Sequence, residues 1–258
     1  MGRQFRLYLL LTPFAFLIPS VSASTRLTQK NDAQMPTVPF VGCPADGMSG
    51  PVSAPSDDPH KLPIPFDAAQ RLALYSDANG FSVIAPRGWH CYEVYGSDGA
   101  FLIVSPYPVS EDTILSARRP KGFVHPVVVF SAIDGFTSGR DEVSPIINRV
   151  FPKHRAFVIN AAKEMDQPVP RKQAPFRSDK LHYLSKDAVE YKTPANREGL
   201  GTASFLRPSV LAITGVEILV KDRGDCCDLT SLAVRLAPSD EALAPVINRY
   251  IEHEAAKR

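Results

Sequence analysis

Two thiols and two carboxylates crowd the stretch "GDCCD", in which Asp225, Cys226, Cys227 and Asp228 follow one glycine. Thiolates with carboxylates beside them suit a soft metal or a redox partner, so these four side chains are candidate metal ligands. There is no C-x-x-C spacing, however. Adjacent cysteines do not readily share one tetrahedral ion, and neighbouring aspartates raise a thiol pKa rather than lower it. A strained vicinal disulfide, a bridge to another cysteine, or an incidental pair on a polar hairpin tip accounts for the same letters.

Three further groups invite a chemical reading. In "REGLG", Gly199 and Gly201 permit close backbone approach, and Arg197 with Glu198 offers a cation and an acid or base. The stretch lacks the strand-to-helix context and six-residue spacing of a dinucleotide loop, so a glycine-shaped turn with two solvated charges competes. In "TSGR", Arg140 with backbone amides near a helix start could hold an anion, and ordinary loop chemistry competes there too. His90 beside Cys91 is no dyad, because strand neighbours project to opposite faces and a nucleophile needs its base within hydrogen-bond reach. The catalytic residues are therefore unknown, with Glu198, Arg197 and Arg140 as candidates. No G-x-S-x-G, H-E-x-x-H, Walker loop or zinc-finger spacing occurs, the six histidines are scattered, and no cofactor is expected.

The elements that must position these groups follow from hydrophobic period and turn chemistry. Residues 67–78 read as a first helix ended by Asn79-Gly80. Strands are expected at 81–85, 89–95 and 100–104, the last two joined by the four-residue loop "GSDG". Another apolar strand covers 127–133. Ser144 is then placed to cap a helix that has Pro145 in its first turn, and Pro152 starts or kinks the next. Short strands at 181–184 and 188–191 precede a pair at 213–220 and 230–236, the second with Leu232, Val234 and Leu236 inward and Ala233 and Arg235 outward. A terminal helix runs from about residue 245 to 256. "PIINRVF" and "PVINRYI" match at four positions, either as two related strand-turn-helix units or as independent uses of a good helix start.

Arg3 and Arg6, an apolar run to Ile18 and small residues at 21–23 form an export signal with cleavage expected after Ala23. Removing it takes two of the 29 basic residues and none of the 27 acidic ones, leaving 27 of each in 235 residues. A formally neutral chain gives no support for a nucleic-acid partner or an anionic membrane surface, and no later run is long enough to span a bilayer. Residues 24–65 read as a Pro/Ser/Gly-rich extended leader, and 66–258 as a single domain. Four cysteines in an exported chain point to bridges, and Cys43 with Cys91 is the preferred pair because neighbouring Cα atoms sit closer than a relaxed disulfide allows.

The blocks "FVGCPADGMSGP", "GFSVIAPRGWHC", "TSGR" and "TPANREGLGT" together resemble an uncharacterised family of bacterial exported proteins. The resemblance implies a periplasmic or secreted setting and a shared fold, and it carries no catalytic residues. "GFSVIAPRGW" after a helix is also similar to domains of the Mog1/PsbP type, which implies an antiparallel sheet with helices on both sides and a binding or assembly role. The expectation is thus an α+β protein with a mainly antiparallel sheet flanked by helices, acting as a non-enzymatic binding or assembly factor on an unknown protein or small-molecule partner. The alternatives are a periplasmic hydrolase using the Glu198 loop and a thiol or soft-metal protein using Cys226 and Cys227.

Overall fold

The computed structural model describes residues 35–116, 122–203, 205–222 and 225–257, without the side chains of residues 222, 225 and 226. The expected export signal and the start of the leader lie outside these residues. Residues from Met35 onward group as one compact unit.

The chain opens with four short strands, β1 (Thr37–Val38), β2 (Phe40–Gly42), β3 (Ala45–Gly47) and β4 (His60–Lys61). Next come α1 (Phe66–Ala69), β5 (Leu72–Ser76), β6 (Ser82–Pro86), β7 (His90–Tyr95) and β8 (Gly99–Ser105). After α2 (Glu111–Ser116) and β9 (Val127–Ile133), two helices follow, α3 (Arg140–Val150) and α4 (Arg155–Glu164). The last third holds β10 (Lys180–Tyr183), β11 (Ala188–Thr193), β12 (Ile213–Asp222), β13 (Asp225–Arg235) and α5 (Ala244–Ala255).

Eight strands form one sheet in the order β10-β11-β12-β13-β9-β8-β7-β3, antiparallel except where β3 runs parallel to β7. The α+β class with a mainly antiparallel sheet is therefore observed. The hairpin between β7 and β8 turns on residues 96–99, where Gly96 N–H donates to Gly99 O at 2.8 Å. Gly99 sits at φ 144°, and a Cβ there would lie 2.2 Å from Ala132 O, so only glycine fits.

Alternation along each strand creates two cores. Leu102, Val104, Val128, Phe130, Leu232 and Val234 face one side, packed with Leu74, Ile84, Ile247 and Ile251. That side is covered by α5 and by a small sheet, β2-β5-β6. Ile103, Val129, Ile133, Ile213 and Leu229 face the other side, against Val143, Ile147, Val150 and Val158 of α3 and α4. Burying each such side chain contributes roughly 1.5–3 kcal/mol.

Residues 35–65 are tied into this body. Cys43 is bonded to Cys91 with Cα atoms 5.3 Å apart, β2 runs parallel to β5, and Val38 and Leu62 are buried.

Four local expectations are corrected. Residues 72–76 form a strand and not a helix, because Leu72 to Ser76 are buried on both faces and an unbroken apolar run satisfies either period. Helix α3 begins at Arg140, so Ser144 is no cap and Pro145 lies inside the helix. Its missing donor is tolerated on the exposed side, where the Asp141 carbonyl can be hydrated. Pro245, by contrast, does occupy the first turn of α5, so the two "P-x-I-N-R" stretches differ in helix position although Ile147 and Ile247, and Asn148 and Asn248, are alike buried.

Arg235 is fully buried and not outward-facing, since the second face of β13 is covered as well. Its Nη1 donates to Phe123 O at 2.8 Å and its Nη2 to Arg207 O. Lastly, β12 and β13 extend through most of the expected polar tip, and Cys227 is fully buried.

Candidate functional site

Strand register sets a polar row into the second, helix-covered face of the sheet. Val189 of β11 pairs with Glu217 of β12, Glu217 with Ser231 of β13, Ser231 with Ser131 of β9, and Ser131 with Phe101 of β8. The adjoining row runs Tyr191, Gly215, Ala233, Val129. Small residues at Gly215, Ala233, Ser231 and Ser131 leave the middle of this face thin, while Ile213, Leu229 and Ile133 fill its margins. Gly215 is also required by contact, because a Cβ there would lie 1.9 Å from Leu232 O and 2.5 Å from Tyr191 Oη. Tyr191 Oη donates to Leu232 O at 3.0 Å.

Three segments roof the thin region over a half-open cavity of about 580 Å³: Pro145, Ile146 and Arg149 of α3, Gln173 and Phe176, and Leu200, Gly201, Ala203, Phe205 and Leu206. That volume is of the size that holds a small organic molecule. Each roof segment is pinned. Arg149 donates to Ala174 O at 2.9 Å and to Gln173 Oε1 at 2.6 Å, and its guanidinium lies 3.9 Å from the centre of the Phe176 ring. The turn at 199–202 is drawn down by Asp179, whose Oδ2 accepts from Leu200 N at 2.8 Å while Oδ1 accepts from Thr193 Oγ1 at 2.7 Å. Burial raises the Asp179 carboxyl and these bonds oppose the shift. A Cβ at Gly199 would lie 2.0 Å from Asp179 Oδ1, and one at Gly201 2.6 Å from Ile213 Cγ2. The glycines of "REGLG" thus serve close packing of the roof.

Glu217 lies on the cavity floor, only 4% exposed. The Ser231 hydroxyl donates to its Oε2, while neither Glu217 Oε1 nor Ser131 Oγ has a hydrogen-bond partner among the described residues. Burial pushes the Glu217 carboxyl up to about 8, against the lowering effect of the Ser231 bond. Burial also raises Tyr191 far above its ordinary range, with Glu217 and Asp179 adding to it. At neutral pH the floor therefore presents a neutral carboxylic acid in an apolar chamber, able to donate one hydrogen bond or to ionise against an incoming cation.

The residues singled out from sequence lie elsewhere. Arg197 and Glu198 are exposed and do not line the cavity, and Glu198 O accepts a hydrogen bond from Ser178. Arg140 donates to Thr137 O at 2.9 Å and Phe136 O at 2.6 Å and pairs with Glu164, at a separate polar cleft that also holds His154. His90 is exposed while Cys91 is buried in its bridge, on opposite faces of β7. Cys227 is disulfide-bonded and so presents no thiolate, and Asp228 Oδ1 accepts from Gly135 N at 2.9 Å. The side chains of Asp225 and Cys226 lie outside the described residues. Among the described residues, no group of three or more His, Cys, Asp or Glu is arranged to hold a metal.

A second pair of buried acids stands apart from the cavity, beside the Cys43–Cys91 bridge. Glu93 is fully buried and pushed up to about 9, first by burial and then by the facing Asp77 carboxyl. Asn79 Nδ2 donates to Glu93 Oε2 at 3.3 Å, and Phe81 N to Asp77 Oδ1 at 2.7 Å. The two remaining oxygens, Asp77 Oδ2 and Glu93 Oε1, have no other donor, so one shared proton satisfies both.

Glu217 was legible as a signal. In "ITGVEILV" it falls in phase with Ile213 and Leu219, a carboxylate on an otherwise apolar face, which is the informative kind of exception. No protein-family model, curated protein or solved structure matches this chain, so its functional reading rests on its own residues.

Proposed function

We propose that this is a non-enzymatic binding factor of an exported compartment, holding a small and mainly apolar molecule between its large sheet and α3. The observation that carries the reading is the Glu217 carboxyl, buried on the floor of an organic-molecule-sized cavity with one oxygen unpartnered. A bound molecule that donates to this oxygen gains one hydrogen bond in an apolar setting, worth about 0.5–1.5 kcal/mol. The apolar walls supply affinity and the polar row fixes orientation. The Cys43–Cys91 bridge fits an oxidising compartment, and among the described residues no helix is long and apolar enough to cross a membrane.

The test uses the neutral dye N-phenyl-1-naphthylamine, whose fluorescence rises on leaving water. The full chain is expected to bind one equivalent, and Ala233→Phe and Ser131→Leu, which fill the cavity from its floor, are expected to abolish binding while keeping the circular dichroism spectrum. Undiminished binding by both folded variants would place the dye elsewhere and end this reading.

A further inference from the structure

We propose that the occupant of this cavity carries a primary ammonium group on an apolar body, seated against Glu217. The inference rests on the cavity reading above and adds the charge and chemistry of the ligand's head.

Three observations select an ammonium over other heads. The first is the charge of the lining, which holds three carboxyl groups, Asp141, Glu142 and Glu217, against one guanidinium, Arg149. That guanidinium is already engaged by Gln173, the Ala174 carbonyl and the Phe176 ring, so an anionic head meets no unengaged base. The second is the acceptor set. Glu217, Ser231 and Ser131 lie side by side on three adjacent strands, spaced about 4.8 Å apart. A primary ammonium has three donors and no acceptor, matching Glu217 Oε1, Ser131 Oγ and the lone pairs of Ser231 Oγ. The third is aromatic. Phe101 and Phe205 meet edge to face with ring centres 4.9 Å apart, and with Tyr191 and Phe176 they line the cavity with aromatic surface that suits a cation on an apolar body.

Binding then exchanges one positive charge for another. The Glu217 O–H bond breaks, its proton passes to solvent, and the ammonium takes the proton's place beside the carboxylate. No other bond changes. The titratable and charged groups around Glu217 are Tyr191 on β11, Asp141, Glu142 and Arg149 on α3, and Asp179 behind the roof, while β13 presents only Ser231. Tyr191 keeps its proton throughout, so the exchange belongs to Glu217. Affinity for an amine therefore rises with pH by up to about tenfold per unit below the Glu217 transition, levels off above it, and falls again once the amine loses its own proton near pH 10.

The experiment is calorimetric titration of the full chain with 2-phenylethylamine and with its neutral counterpart 2-phenylethanol, at pH 7 in phosphate and in Tris. The amine is expected to bind at least about tenfold more tightly than the alcohol. The heat is expected to differ between buffers by the ionisation enthalpy of nearly one proton released per ligand. Glu217→Gln is expected to lower amine affinity at least about tenfold and to leave alcohol affinity within about twofold, with the retained alcohol site proving the variant folded. If Glu217→Gln does not fold, the proton count of the natural chain decides alone. An alcohol bound as tightly as the amine, or amine binding without proton release, overturns the ammonium assignment and leaves the cavity reading standing. If neither compound binds while the neutral dye does, the ammonium assignment again falls alone. If the dye fails too, both fall.

Discussion

At the scale of single residues, the molecule is marked by charges buried without counter-ions. Arg235 is enclosed between β13 and the segments carrying Phe123 and Arg207, and its charge is met by two carbonyl oxygens, not a carboxylate. Desolvation accordingly pulls its guanidinium down to about 10. Its work is to satisfy those two carbonyls where the two segments bridge at Phe123 and Leu206. Arg235→Ala leaves a cavity and the Arg207 carbonyl without a donor, while Phe123 O keeps its bond from Arg207 N at 3.0 Å, and chemical denaturation is expected to record a loss of about 3 kcal/mol. A loss under about 1 kcal/mol would mean that water takes over the freed Arg207 carbonyl. The sequence placed Arg235 outward because alternation with Leu232 and Val234 implies a solvent face, and period alone does not say that a second layer covers it. His90 and Cys91 were read correctly, because their separation depends only on the strand's own geometry.

At the scale of elements, the Cys43–Cys91 bridge does for residues 35–61 what hydrophobic burial does for the rest. Strands β1 to β4 are two or three residues long and bury few large side chains, too little to offset the entropy of ordering them. Closing a loop across a sequence separation of 48 contributes about 4 kcal/mol in the chain-entropy model. Cys43→Ser with Cys91→Ser is expected to lower stability by about that amount, and limited proteolysis is expected to cut first between residues 44 and 60. An unchanged unfolding midpoint would show that strand pairing alone holds the segment. The terminal helix and the β7–β8 and β12–β13 hairpins were legible because their signals are local. The exchange of a helix for β5 was not. Leu72, Leu74 and Tyr75 fit one helical face, and only the presence of β2 and β6 on either side of the strand decides the matter.

At the scale of the whole molecule, the two most strongly raised carboxyls make stability depend on pH in a stated direction. Glu217 and Glu93 hold their protons more tightly folded than unfolded, with folded values of about 8 and about 9. The folded chain thus binds more protons than the unfolded chain across the interval above the ordinary carboxylate range. Their contribution is fully present below that range and is lost as pH rises through the folded values. The thermal unfolding midpoint is therefore expected to fall steadily between about pH 5 and pH 9, by an amount equivalent to several kcal/mol, and Glu217→Gln with Glu93→Gln is expected to flatten the curve. A flat profile in the natural chain would mean that water reaches both groups.

The α+β class, the strands from β6 to β9, the paired β12 and β13, the closing helix and the preferred disulfide all follow from residue order, because each rests on a period or a turn. Which side chains form a site does not follow. Glu217, Ser231 and Ser131 are separated by up to 100 positions in the chain and become neighbours only through strand register. Whether the carboxyl among them is an ordinary solvated acid or a raised one depends on α3 and on the roof residues Gln173, Phe176, Leu200 and Phe205. Period marks which residues share a face. Desolvation, which sets their chemistry, is decided by what the rest of the chain lays over that face.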